Sequence, residues 1–392
     1  MATGIEASID NSAMGRFRRL FVGDRFLLYI VIALVLISVL AVYSSTSALV
    51  YQRGGGHLFG YITRHVIYLI LSLVAMVCVS HIKPRYFSGT AEVMVGISFI
   101  LLVLTMFTGS SINGSARWLN LFGLVQFQPS EIAKVSLVLY VARKLAQNHD
   151  HQNDSFWSIM IATGMIAMPI MLQNLSTCLL ILSTVFCMMI IGRISMKYML
   201  SLLLVAVAGI GLIILFASTM EKYFPRATTW KARIERFMDN SESTVSPTDQ
   251  AEQAITAVST GGLLGRGIGK SYIKNFLPMA YSDFIFSIIL EEWGLLGTLL
   301  VPFLYFSILA RSRIVAIRST VPFHIYTIIG LAIMVSTQAL INMLVGVGLM
   351  PVTGQTLPLV SMGGTSNLLT GCVFGIMLSV SHETELRSEA QK

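Results

Sequence analysis

Leu277–Glu292 reads LPMAYSDFIFSIILEE, the point where a long polar segment ends and an apolar helix begins. Asp283 stands at the mouth of that helix, and Glu291 and Glu292 lie inside an apolar run that continues to Ala310. Ionised groups at membrane depth are costly, so they are rare and face a bundle interior or a wet cavity. A carboxylate at a membrane–water boundary, beside a large loop, is where chemistry is expected. The composition supports a membrane setting. Of 392 residues, 55% are hydrophobic and only 12% charged, with a mean hydropathy of +0.74. A soluble domain carries about 25% charged residues. The chain is built for lipid.

A bilayer core of about 30 Å needs about 20 mostly apolar residues per helix, and that ruler finds ten spans. The first four are Phe26–Ser47, Tyr61–Ser80, Ala91–Thr108 and Val125–Ala146, the last weakened by Glu131 and Lys134. Ser155–Gly192 carries no charge and is too long for one crossing, so Pro169, Gln173 and Asn174 mark the break of a two-helix hairpin. The rest are Tyr198–Met220, Ser282–Ala310, Pro322–Val347 and, after a Gly/Pro-rich loop, Thr365–Ser381. The expected fold is an all-α polytopic membrane protein with ten transmembrane helices. A long extracytoplasmic loop, residues 221–281, joins helices 7 and 8.

Lys and Arg set the orientation. The N-terminal tail, the C-terminal tail and the short loops on their side hold most of them, while the other short loops hold only Arg53, Arg64 and Arg117. Positive charge favours the cytoplasmic side, which puts both termini there. The long loop is basic as well, but long loops cross largely regardless of charge. The basic stretch Arg16–Arg25 before an apolar run is signal-like, yet the run is too long for a cleaved signal and reads as an uncleaved first span. The expected organisation is a cytoplasmic tail at 1–25, one transmembrane domain at 26–384 and a second cytoplasmic tail at 385–392. A net charge of +8 invites thoughts of nucleic acid, but its distribution fits a membrane protein, and no nucleic-acid partner is expected.

Each remaining motif has a plain reading beside a functional one. Gly265–Ser271 resembles a phosphate loop but has Leu264 where the first glycine is required, so a turn is the plainer role; Arg266 and Lys270 could still meet a pyrophosphate. Glu131 and Lys134 are three apart on one helix face and either pair for packing or wall a substrate cavity. Cys78, Cys178, Cys187 and Cys372 are scattered in apolar runs and read as core residues. His149 and His151 flank Asp150 in a short loop and read as a solvated connector. Asp283 could be a helix N-cap, although Ser282 could do that equally well.

Three separated stretches resemble one family, the shape, elongation, division and sporulation (SEDS) proteins. Asn113–Lys134, NGSARWLNLFGLVQFQPSEIAK, is similar to its Gly-x-x-Arg-Trp…Gln-Pro-Ser-Glu…Lys signature. Leu277–Glu292 is similar to its LPEAHTDFIF…EE segment, and Asn342–Ser366, NMLVGVGLMPVTGQTLPLVSMGGTS, to its Asn…Gly…Pro-Val-Thr-Gly…Leu-Pro…Ser-x-Gly-Gly segment. Their order, the ten spans and the long loop match too, so the likeness covers nearly the whole chain. The wording of Leu359–Thr365 and the basic tail resemble the septal branch more than the elongation branch.

The resemblance implies a peptidoglycan glycosyltransferase that polymerises lipid II at the outer face of the bacterial cytoplasmic membrane, at the division septum. Its partners would be a class B penicillin-binding protein, other divisome membrane proteins and membrane lipid. The family's essential aspartate falls on Asp283, its Arg-Trp pair on Arg117 and Trp118, and its Gln-Pro-Ser-Glu…Lys on Gln128, Pro129, Ser130, Glu131 and Lys134. Ser361, Gly363 and Gly364 take the Ser-x-Gly-Gly positions. Met279, Tyr281 and Ser282 depart from the usual Glu, His and Thr, and Asn174 sits where many members carry Asp. Asp283 would then act nearly alone, or with Glu291 or a divalent cation such as Mg2+ or Mn2+. The competing readings are an elongation-type enzyme, a lipid II flippase and a non-enzymatic divisome scaffold.

Overall fold

The computed structural model describes residues 22–52, 58–108, 110–112, 115–121, 125–147, 152–200, 260–272 and 281–390, with single positions at 204, 211 and 274. A bilayer offers backbone N–H and C=O groups no partner, so a spanning segment must satisfy its own. The apolar runs accordingly fold as helices: α1 (Arg25–Gln52), α2 (Leu58–Ser80), α3 (Pro84–Thr108), α4 (Pro129–Gln147), α5 (Gln152–Gln173), α6 (Leu175–Ile191), α7 (Ile285–Arg318), α8 (Pro322–Gly346) and α9 (Thr365–Ala390). Six of these, α1, α2, α3, α5, α7 and α8, are long and apolar enough to cross a membrane. The protein is a multi-pass membrane protein.

These helices coincide with nine of the expected spans. Of the seventh, only residues up to Leu200 and positions 204 and 211 are described; most of the long loop, Met279 and the histidines at 149 and 151 lie outside the described residues. The hairpin break falls at Asn174, whose side chain accepts a bond from Thr177 N and caps α6. Pro169 stays inside α5.

Helix throughout was an over-simple expectation. Residues 110–127 instead hold a three-stranded antiparallel sheet, β1 (Ser110–Ile112), β2 (Ser115–Leu121) and β3 (Val125–Phe127), with β2 in the middle. This also corrects the fourth span, which starts at Pro129 and not at Val125. Proline lacks the N–H that a helix interior needs but suits a first helical position.

α9 packs along α2, and α7, α8, α4 and α6 follow in a continuous series of neighbours. The α9–α2 seam is close enough that a Cβ on Gly371 would lie 2.2 Å from Ser72 O, so only glycine fits. The core is correspondingly apolar, with Leu34, Leu139, Ile166, Ile328 and Phe374 fully buried.

α7 is not one continuous helix. At Gly294 the backbone turns to φ 60° and ψ −145°. The main chain of residues 261–267 inserts there: Arg266 N donates to Glu291 O at 3.0 Å, Gly267 N to Glu292 O at 2.9 Å, and Leu295 N to Leu263 O at 3.1 Å. Loop amides thus take carbonyls that the broken helix would leave open.

Candidate active site

Asp283 lies in the tight corner Tyr281–Phe284 immediately before α7 and is half-buried. The helix cap position falls on Phe284, so neither Ser282 nor Asp283 occupies it. Ser282 Oγ donates to Asp283 Oδ1 at 2.9 Å. The corner's first three carbonyls are each held from elsewhere. Tyr281 O accepts from Met362 N at 3.0 Å, Ser282 O from Ser361 Oγ at 2.6 Å, and Asp283 O from Asn342 Nδ2 at 3.0 Å. On the open side stands Gly354, exposed, where an added Cβ would come within 3.7 Å of Asp283 Oδ2.

The segment between α8 and α9 is the frame for this corner. Ser361 is fully buried; besides holding Ser282, its oxygen accepts from Leu357 N at 2.8 Å. Asn367 Nδ2 donates to Ser361 O at 2.9 Å, Tyr305 Oη to Pro358 O at 2.5 Å, and Ser38 Oγ to Val360 O at 2.8 Å. Gly363 and Gly364 are partly exposed at the end of this segment, with Gly364 at φ +53° just before α9.

Glu131 and Lys134 form the expected pair. Lys134 Nζ meets Glu131 Oε1 at 2.8 Å and Gln338 Oε1 at 2.7 Å, with Lys134 only 2% exposed. Ser366 Oγ donates to Glu131 Oε2 at 3.3 Å, and Gln338 Nε2 to Thr356 O at 3.0 Å. The pair borders a cavity of about 10 Å³, room for about one water. The residue 352–366 segment therefore touches both the Asp283 corner and the Glu131–Lys134 pair.

Beside them, Gln128 Nε2 donates to the buried Ser130 hydroxyl at 2.8 Å. Arg117 and Trp118, on β2, are partly exposed, and Arg117 Nε donates to Gln173 O at 3.0 Å. Glu291 and Glu292 serve a different contact. Both are buried, and they clamp the loop. Glu291 Oε2 accepts from Ser271 Oγ at 2.5 Å, and Oε1 from Tyr272 N at 2.9 Å and Arg266 at 3.4 Å. Glu292 accepts from Ser271 N at 3.1 Å and from the Ser44 hydroxyl. Lys270 is exposed in the turn itself.

Gln338, Gln355 and Thr177 were not singled out from sequence, and Asn342 entered only as the first residue of the third family-like stretch, although uncharged amides four apart in an apolar span (Gln338 and Asn342) are a usable signal. Among the described residues no group of three or more His, Cys, Asp or Glu is placed to hold a metal. A divalent cation here would draw ligands from Asp283, substrate phosphates and water, as Mg2+ commonly does.

The profile of the family described as cell cycle protein, FtsW/RodA/SpoVE, matches residues 24–386. The chain belongs to this family. A FtsW/RodA/SpoVE relative from Geobacter sp., named probable peptidoglycan glycosyltransferase FtsW, is 30% identical over 94% of this chain and 98% of its own length. A second so named, from Thioalkalivibrio sulfidiphilus, is 32% identical over 88% of this chain and 86% of its own. A solved chain described under structural coordination of polymerization and crosslinking by a peptidoglycan synthase complex superposes with a TM-score of 0.71. It is 26% identical and the match covers 92% of this chain and 98% of that one. The rod shape determining protein RodA of Thermus thermophilus, at 24% identity and a TM-score of 0.64 over 92% of this chain and 97% of its own, shares the fold.

Proposed function

We propose that this protein is a peptidoglycan glycosyltransferase that polymerises lipid II at the outer face of the cytoplasmic membrane. The observation that carries the reading is a half-buried aspartate on a fixed corner at one end of a membrane bundle, in a chain whose relatives carry that enzyme name. Chain growth forms a bond from a sugar hydroxyl oxygen to an anomeric carbon and breaks the bond from that carbon to pyrophosphate. The hydroxyl proton must leave as the new bond forms. Asp283 takes it, acting as general base. The departing pyrophosphate needs positive charge, and Arg117 on β2 with Lys270 in the loop turn are placed in this reading to supply it. An inverting displacement needs no second carboxylate as nucleophile, which suits Met279 and the engagement of Glu291 in the loop clamp.

Trp118, Gln128, Gly363 and Gly364 line the substrate path in this reading, while Ser130, Glu131, Lys134, Ser361, Arg266 and Glu291 hold its frame. The septal branch is the assignment, with both termini in the cytoplasm and a class B penicillin-binding protein as partner. The test is glycan formation from labelled lipid II with the partner transpeptidase inactivated at its own serine. Asp283→Asn should lower turnover by about 10²–10⁴ while the protein still inserts and folds. Wild-type turnover in that variant removes the base role. No product from either form, with lipid movement across vesicles instead, favours a flippase.

A further inference from the structure

The Asp283 corner is tied to a distant part of the fold through side chains that have no charge. Asn342 Nδ2 donates to the carbonyls of Asp283 at 3.0 Å and Gln355 at 2.6 Å. Gln355 Nε2 donates to Thr177 Oγ1 at 2.8 Å. Thr177 N in turn donates to Asn174 Oδ1 at 3.4 Å, at the break between α5 and α6. Asn342 and Thr177 are each 1% exposed, and Gln355 and Asn174 each 5%. The Asn342 amide can point only one way, because both of its Nδ2 partners are carbonyl oxygens that need a donor. Its Oδ1 is buried with no partner among the described residues. Leaving a buried acceptor unsatisfied is costly, so the two donor bonds are bought at the expense of the amide's own oxygen. A residue serving packing alone would be better as leucine. The same break also holds β2, through the Arg117 bond to Gln173 O, so Arg117 and Asp283 are both anchored on one short segment.

We propose that Asn342, Gln355 and Thr177 form a positioning strap that fixes where the Asp283 carboxylate stands for proton transfer. The inference rests on the reading of Asp283 as the base. These are positioning residues: they touch the Asp283 main chain and its support, not the reacting atoms. Thr177 is the most informative place to cut, being three hydrogen bonds removed from Asp283. Thr177→Val keeps the shape and removes the hydroxyl, Thr177→Ser keeps the hydroxyl, and Asn342→Leu removes both carbonyl contacts.

The full chain is studied in nanodiscs with the inactivated partner transpeptidase. The measurements are kcat and KM for lipid II, the melting temperature, and amide hydrogen exchange across residues 281–286. Thr177→Val and Asn342→Leu should each lower kcat about 10–100-fold, with KM changed less than about threefold, since a small misplacement suffices. Exchange at the corner should speed up in both, and Thr177→Ser should restore kcat and exchange to near wild type. Wild-type kcat in Thr177→Val overturns the proposal. So does a loss of kcat that follows the melting temperature and is not restored by serine. Asp283→Asn is run alongside. If it keeps full turnover the base reading fails, and the exchange at 281–286 still decides whether the strap holds the corner.

Discussion

Lys134 is sealed inside the helix bundle. It is 2% exposed, and Glu131 and Gln338 stand at 2.8 and 2.7 Å to meet it. Removing one member of such a pair leaves an uncompensated buried charge, which costs about 3–5 kcal/mol. Glu131→Gln and Lys134→Met should therefore each lower the melting temperature strongly, while the double variant should lose less than the sum of the two. Additive losses in thermal melts of the purified protein would mean the two charges do not depend on each other. This pair was legible in the sequence because charges in an apolar run are conspicuous and a spacing of three puts them on one helix face. Asp283 was legible for the same reason. Gln338 and the bonding role of Asn342 were harder to see, because an amide in a membrane helix is cheaper than a charge and many such amides serve only packing. Glu291 stood out for its place on the apolar helix, but its bonds to Thr260, Arg266, Ser271 and Tyr272, from the loop before that helix, were not readable from its position.

Among elements, the junction of the 261–267 loop with the break in α7 makes the sharpest prediction. Gly265 has φ +74°, and a Cβ there would lie 2.2 Å from Glu292 O. The left-handed backbone alone costs a non-glycine residue about 1–2 kcal/mol, and the contact with backbone cannot be relieved by a rotamer change. Gly265→Ala should expel the loop from the break. The readout is hydrogen exchange: the amides of Arg266, Gly267 and Leu295 should lose protection together, and unchanged protection would show that the loop adapts. The turn was readable from its glycines, but its insertion into a helix was not, since nothing local pairs residue 266 with residue 291. The small sheet escaped for a related reason. Its strands are three to seven residues long, too short for an alternating pattern to stand out beside membrane helices, and Val125–Phe127 blended into the apolar run of α4.

At the scale of the whole molecule, the helices were legible because a bilayer imposes one length and one composition on every crossing. The expected topology makes its own prediction. Leu264, 86% exposed, and Leu386, 49% exposed, should lie on opposite sides of the membrane. In a background with its own cysteines replaced, Leu264→Cys in intact cells should react with an impermeant thiol reagent and Leu386→Cys should not. Equal labelling would refute the arrangement. The stitched break in α7 also bears on how the chain enters the membrane. A charge at the centre of a helix costs about 2.5–3.5 kcal/mol during insertion, and Ile285–Trp293 carries two adjacent glutamates. Ribosomes deliver the chain from its N-terminus, so Ser44 and then Ser271 and Tyr272, which bind those glutamates, are all synthesised before them. Each acid can therefore reach lipid with its donors already waiting. A circular permutant in which the loop was made after the helix would have the same folded contacts and a much harder insertion.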